Sequence, residues 1–115
     1  MYHIASEETY RDRQTIFEEG SYGDWVYVVQ SGAVEISKTV GGHKFIIEVL
    51  QQGDVFGEIG FIASMGRIAT AQAVGDTTVG VIDREFLDRE FNKISEDFRV
   101  ILVALAHRFK KVTDR

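Results

Sequence analysis

One arginine stands apart from every other cation. Between Lys44 and Arg84 the only basic residue is Arg67, set in an apolar, glycine-rich and otherwise acidic stretch. A guanidinium so placed needs an anionic partner, either a carboxylate of the protein or the anion of a ligand. Residues 56–70 read Phe-Gly-Glu-Ile-Gly-Phe-Ile-Ala-Ser-Met-Gly-Arg-Ile-Ala-Thr. Gly57 lets the backbone come close to a ligand or take a positive φ. Glu58–Ala63 has room for one or two helical turns, whose first N–H groups suit an anion. Arg67 can grip a phosphate through two parallel N–H bonds. Ala69 and the amides around it permit close approach, and Glu58 offers an acceptor for a sugar hydroxyl. Together these residues predict a site for an anionic, hydroxyl-bearing small molecule of nucleotide size. The competing reading makes Arg67 a structural ion pair with Glu58 or another acid. Phe56, Ile59 and Phe61 read as core, and Trp25 as packing.

Such a loop needs a scaffold, and residues 9–82 read as short strands between turns. Trp25–Gln30 is rich in β-formers and ends at Ser31-Gly32. Ala33–Thr39 and His43–Leu50 flank Gly41-Gly42, which predicts a β-hairpin. Gln51–Asp54 is the next turn. Ile68–Val74 and Thr77–Asp83 predict another strand pair around Gly75-Asp76. Many short strands with regular turns indicate a sandwich, barrel or β-roll. The tail changes period. Asp83 can cap a helix over Arg84–Asn92, and Ser95 a second one running to the end of the chain. Phe98, Ile101, Leu102, Leu105, Phe109 and Val112 form one helical stripe, widened by Val100, Val103 and Ala104. Such a helix packs on its own domain, pairs with a copy of itself, or does both. The first eight residues read as a frayed end.

Composition narrows the function. The 115 residues make one domain's worth, 44% hydrophobic and 27% charged, with a net charge of −5. Residues 1–98 hold 8 basic and 17 acidic side chains, a balance of −9, while residues 99–115 balance at +4. The acidic body argues against nucleic acid as a partner. The basic tail reads as cations complementing a helix dipole. There is no cysteine, so disulfides and thiolate metal sites are excluded. His3, His43 and His107 lack metal-ligand spacing, which leaves a metal-dependent β-roll enzyme without its ligands. No serine or cysteine stands in a nucleophile–histidine pattern, so no catalytic residue is assigned. No apolar run approaches the roughly 20 residues of a membrane helix, and no signal peptide opens the chain. The expectation is a soluble cytoplasmic module that is not an enzyme, with no metal, no cofactor and no membrane partner.

The ordered set Phe56, Gly57, Glu58, Ile59, Gly60, Phe61, then Arg67, Ile68, Ala69, Thr70 resembles the phosphate-binding cassette of the cyclic nucleotide-binding domain family. That family includes catabolite activator proteins, regulatory subunits of cyclic-AMP-dependent protein kinase and cyclic nucleotide-gated channels. The resemblance extends to Ile16–Gly20, Gly23-Asp24, Tyr27–Gly32 and Gly53–Glu58. It implies a mainly β fold, an antiparallel, jelly-roll-like β-roll over about 9–83 followed by two α-helices over about 84–115, all in one domain of residues 1–115. It implies a regulatory sensor with Gly57, Glu58, Ile59, Arg67, Ile68 and Ala69 at the ligand. By analogy Glu58 accepts the ribose 2′-hydroxyl and Arg67 neutralises the cyclic phosphate. The last helix covers the base and moves on binding. If two last helices pair in a homodimer, the Thr113 hydroxyl reaches the base. Ile68 stands where the family usually carries Ala, Ser or Thr. It lacks the hydroxyl that favours cyclic GMP, so cyclic AMP is the expected ligand and cyclic GMP the weaker one. Gly66 stands where many members have proline, which costs loop rigidity. The alternative is a degenerate fold that binds no nucleotide and serves protein contacts. The output domain or partner stays open, and the chain reads as a bare or excised sensor module.

Overall fold

Two long strands carry the fold in a computed structural model that describes residues 2–114. They are β3 (Tyr27–Val40) and β6 (Thr70–Ile82), which pair antiparallel from Tyr27↔Val81 to Ser37↔Thr70. Around them stand β1 (Ile4–Tyr10), β2 (Thr15–Phe17), β4 (His43–Leu50) and β5 (Val55–Phe56). The sheet order is β1-β6-β3-β4, with β2 added on β6 and β5 on β3, and every pairing is antiparallel. A short helix α1 (Glu58–Ala63) links β5 to β6, and α2 (Arg84–Lys93) and α3 (Glu96–Thr113) complete the described chain. The antiparallel β fold with C-terminal helices is thus as expected. So are the hairpin across Gly41-Gly42 and both helix caps, in which Asp83 accepts from the Phe86 amide at 3.2 Å and Ser95 from the Phe98 amide at 3.2 Å.

Three local expectations are corrected. Ser31-Gly32 and Gly75-Asp76 do not end strands. Both β3 and β6 run through them as a shared corner, with register shifts on either side of Ser31. Gly32 and Gly75 take φ of 81° and 72°, which a bulge in a continuing strand requires as much as a turn does. A Cβ on Gly32 would lie 2.5 Å from the Asp76 carbonyl oxygen, so only glycine lets the strands bend this closely. The Thr77 hydroxyl fastens the corner by donating to the Ala33 carbonyl at 3.0 Å. Third, the N-terminus is not frayed over its first eight residues. Ile4–Tyr10 pairs with β6 in register Ile4↔Ile82 to Tyr10↔Thr77, and the His3 ring stacks on Phe86 at 3.9 Å. That strand is largely exposed, so it carries no hydrophobic alternation to betray it.

The core lies inside the roll. Tyr27, Val29, Val34, Leu50, Phe56, Ala71, Val79 and Val81 form one buried cluster, with Phe17 and Ile36 packed against it. Helix α3 meets the rest of the domain through Ala106, which is buried, and through half-buried Leu102 and Val103. Most of the predicted stripe, Phe98, Ile101, Leu105, Phe109 and Val112, stays exposed. The far end of α3 is fastened differently. Lys38 of β3 is only 2% exposed, donates to the Thr113 hydroxyl at 3.3 Å and pairs with the Asp114 carboxylate. Among the described residues no helix is long and apolar enough to cross a membrane.

Candidate functional site

The folded chain gathers Gly57, Glu58, Ile59, Arg67, Ile68 and Ala69 around one cleft. Glu58 opens α1, and Gly57 caps it with φ 84°. Arg67 precedes β6, and its backbone is fixed from outside the cleft. Its amide donates to the Ser21 carbonyl at 2.8 Å, and its carbonyl accepts from the Gly20 amide at 2.8 Å. The Arg67 guanidinium lies over the Phe17 ring, 4.1 Å from the centroid. It donates to the Gly57 carbonyl at 3.1 Å and the Trp25 carbonyl at 3.0 Å. Arg67 is 5% exposed.

This geometry leaves the ion-pair reading of Arg67 without a partner. Among the described residues it joins no ion pair with Glu58 or any other carboxylate. Desolvation pulls its pKa down, yet a guanidinium stays charged throughout the accessible range. Resting on two carbonyls and a ring, the guanidinium keeps N–H donors that make no hydrogen bond among the described residues. Donors of this kind suit an anion such as a phosphate.

Space around the guanidinium is kept by glycine. A Cβ on Gly23 would lie 3.1 Å from Arg67 Nε, and one on Gly57 would lie 2.9 Å from Nη1. A Cβ on Gly57 would also meet the Trp25 carbonyl oxygen at 2.7 Å, and Gly57 has a positive φ. Gly57→Ala is therefore expected to destabilise the domain by about 1–3 kcal/mol, from backbone strain and displacement of Arg67. Thermal unfolding checks this, and an unchanged midpoint would show that the cage is not needed.

Glu58 is the second charged group of the cleft. Its Oε2 is buried and has no hydrogen-bond partner. Burial raises the Glu58 pKa; a bond to its own amide opposes the rise, the Glu48 charge adds to it, and Arg67 opposes it again. An unpartnered buried carboxylate oxygen suits a hydroxyl donor.

The sequence reading missed part of the lining. Phe17, Ile36, Ile47, Glu48, Leu50 and Phe109 also face the cleft. Phe109 belonged to the predicted stripe, but its spacing alone could not say that it reaches a ligand site. Phe56 is buried core, as expected, and also borders the cleft, as does Ile59. Trp25 is 51% exposed, less buried than a packing role implies, and its backbone carbonyl accepts from Arg67. Thr113 does not line the cleft and instead meets Lys38. Among the described residues no cluster of histidine and carboxylate side chains could hold a metal.

The family model of the cyclic nucleotide-binding domain matches residues 7–93. The chain belongs to the cyclic nucleotide-binding domain family. It is 35% identical over 104 residues to a cGMP-dependent protein kinase of Toxoplasma gondii, covering 90% of this chain and 10% of that protein. The regulatory domain of Toxoplasma gondii PKA, solved with cAMP, superposes with a TM-score of 0.68 at 26% identity, over 89% of this chain and 38% of that one. The catabolite activator protein of Thermus thermophilus superposes with a TM-score of 0.70 at 28% identity, over 93% of this chain and 51% of that one. The chain spans between a tenth and a quarter of the length of the curated relatives it matches. This cyclic nucleotide-binding domain carries the cassette in the family's order, and the roll closes so that both of its charged residues, Glu58 and Arg67, face one cleft.

Proposed function

We propose that this domain is a cytoplasmic, non-catalytic sensor that binds cyclic AMP in preference to cyclic GMP and relays binding through α3. Arg67 carries the reading: a buried cation that pairs with no carboxylate among the described residues, beside a buried carboxylate with an unpartnered oxygen. Arg67 would hold the cyclic phosphate, with the amides around Gly57 and Ala69. Glu58 would accept from the ribose, and the Phe109 and Ile47 side of the cleft would take the base. Ile68 lines the cleft without a hydroxyl, which removes a contact for cyclic GMP.

The relay has a spatial cause. The cleft measures about 100 Å³, whereas sites for small ligands run to about 300–1,000 Å³. Phe109 lies along it from α3, so a nucleotide that widens the cleft presses on α3. The ligand then shifts α3 by as much as it prefers the opened state. Two copies pairing through the exposed stripe of α3 would carry that movement between protomers, or an attached domain would read it. The degenerate alternative draws on the same narrow cleft, with Ile68 in its wall.

Thermal unfolding separates them. Cyclic AMP at 100 times its dissociation constant is expected to stabilise the domain by about 2.7 kcal/mol. At this size that is a shift on the order of 10 °C, with a smaller one for cyclic GMP. Hydrogen exchange over Phe98–Val112 should change with cyclic AMP. No shift with either nucleotide at millimolar concentration would leave the degenerate fold as the function of this chain.

A further inference from the structure

Among the described residues three charged side chains line the cleft, and on the proposed reading the phosphate and ribose account for two of them. The third is Glu48. It lies on β4 opposite Ile36, another lining residue, which places both on the cleft side of the β3–β4 pair. Leu50, two positions further on, lines the same cleft and is buried. Glu48 is exposed at the mouth and, among the described residues, takes part in no ion pair and no side-chain hydrogen bond. Its charge is nonetheless felt by Glu58.

We infer that Glu48 is a specificity-determining residue that reads an amino group on the edge of the bound base. The inference rests on the cyclic-nucleotide reading of the cleft. An ionised carboxylate accepts hydrogen bonds and donates none. With Arg67 on the phosphate and Glu58 on the ribose, Glu48 is the charged group left for the base. The adenine 6-amino group and the guanine N1–H and 2-amino edge both offer donors that it can take. A base edge of acceptors alone would face a negative charge and be disfavoured.

Two ligand pairs that differ by a single amino group test this. One pair is cyclic AMP and the 3′,5′-cyclic monophosphate of purine riboside. The other is cyclic GMP and cyclic IMP. Calorimetric titration of the whole chain gives the affinity ratio within each pair, for the wild type, for Glu48→Gln and for Glu48→Leu. The wild type should prefer the amino-bearing member of at least one pair by roughly tenfold or more, as for a hydrogen bond to a charged group. Glu48→Leu should bring that ratio within about twofold, and Glu48→Gln should fall between. Cyclic nucleotides that bind with the same ratios to the wild type and Glu48→Leu would overturn the role of Glu48 alone. No binding of any of the four to the wild type would overturn the cyclic-nucleotide reading and this inference with it.

Discussion

Replacing Arg67 with alanine is expected to weaken cyclic-nucleotide binding by about a hundredfold or more. Removing one member of a buried, hydrogen-bonded charge pair costs roughly 2–5 kcal/mol, and each 1.4 kcal/mol is about tenfold. The structure makes this site sensitive, because among the described residues no other cation lines the cleft. The domain itself should tolerate the change. Alanine leaves the Gly57 and Trp25 carbonyls without a donor, but it also removes a charge that burial opposes. These effects act in opposite directions on folding. Arg67→Lys is the informative companion. Lysine keeps the charge, but it has no planar fork to span both carbonyls and still meet a phosphate, so most of the affinity should be lost here too. Titration calorimetry measures both. Affinity within about threefold of the wild type for Arg67→Ala, far short of the loss a buried charge pair implies, would remove Arg67 from the binding site.

Glu58→Gln should move stability and binding in opposite directions. The carboxylate is buried with one oxygen unpartnered, so its charge is costly when no ligand is present. Its pKa lies above the ordinary 4.5 because burial disfavours the charged form. The folded domain therefore holds this proton more tightly than the unfolded chain does. The resulting stabilisation is full below the ordinary value and is lost as pH rises through the folded-state value. Glutamine has no such titration. At neutral pH Glu58→Gln should unfold about 5 °C higher, from a gain of about 1 kcal/mol. Its pH–stability curve should also lack the contribution of Glu58, which declines as pH rises above 4.5. Binding should weaken by about tenfold or more, since a neutral acceptor replaces a charged one on the ribose hydroxyl. A stabilised variant that binds as tightly as the wild type would show that Glu58 serves only the unliganded fold. A destabilised one would show that the buried oxygen has a partner in solution.

How far the sequence could be read differs between local and long-range features. Asp83 and Ser95 were legible as caps because a cap is a local bond between a side chain and an amide three residues on. The cassette was legible because glycine, carboxylate and arginine stand at fixed spacing within one segment. The shared corner of β3 and β6 was not. A glycine that bends a strand and a glycine that ends one look alike until the partner strand is seen bending beside it. The exposed first strand was hidden for lack of a buried face. Phe17, the Trp25 carbonyl and Glu48 reach the cleft only through the roll's closure, which brings residues from distant parts of the chain together. The face that α3 buries was also illegible. Leu102, Val103 and Ala106 turn inward on a helix that packs on α1, an element some forty residues away in sequence, while larger side chains beside them stay exposed.

If α3 moves with the ligand as proposed, the Lys38 clasp sets how far its end travels. Eighteen residues of helix at about 1.5 Å each make a rod about 27 Å long. One end turns at the short joint of Ile94 and Ser95 after α2, and the other is held by Lys38. If the clasp opens and the rod pivots by about 10° at the joint, its far end travels about 5 Å, close to one helical turn. A single buried ammonium thus sets whether the end of α3 stays on β3 or is free to swing.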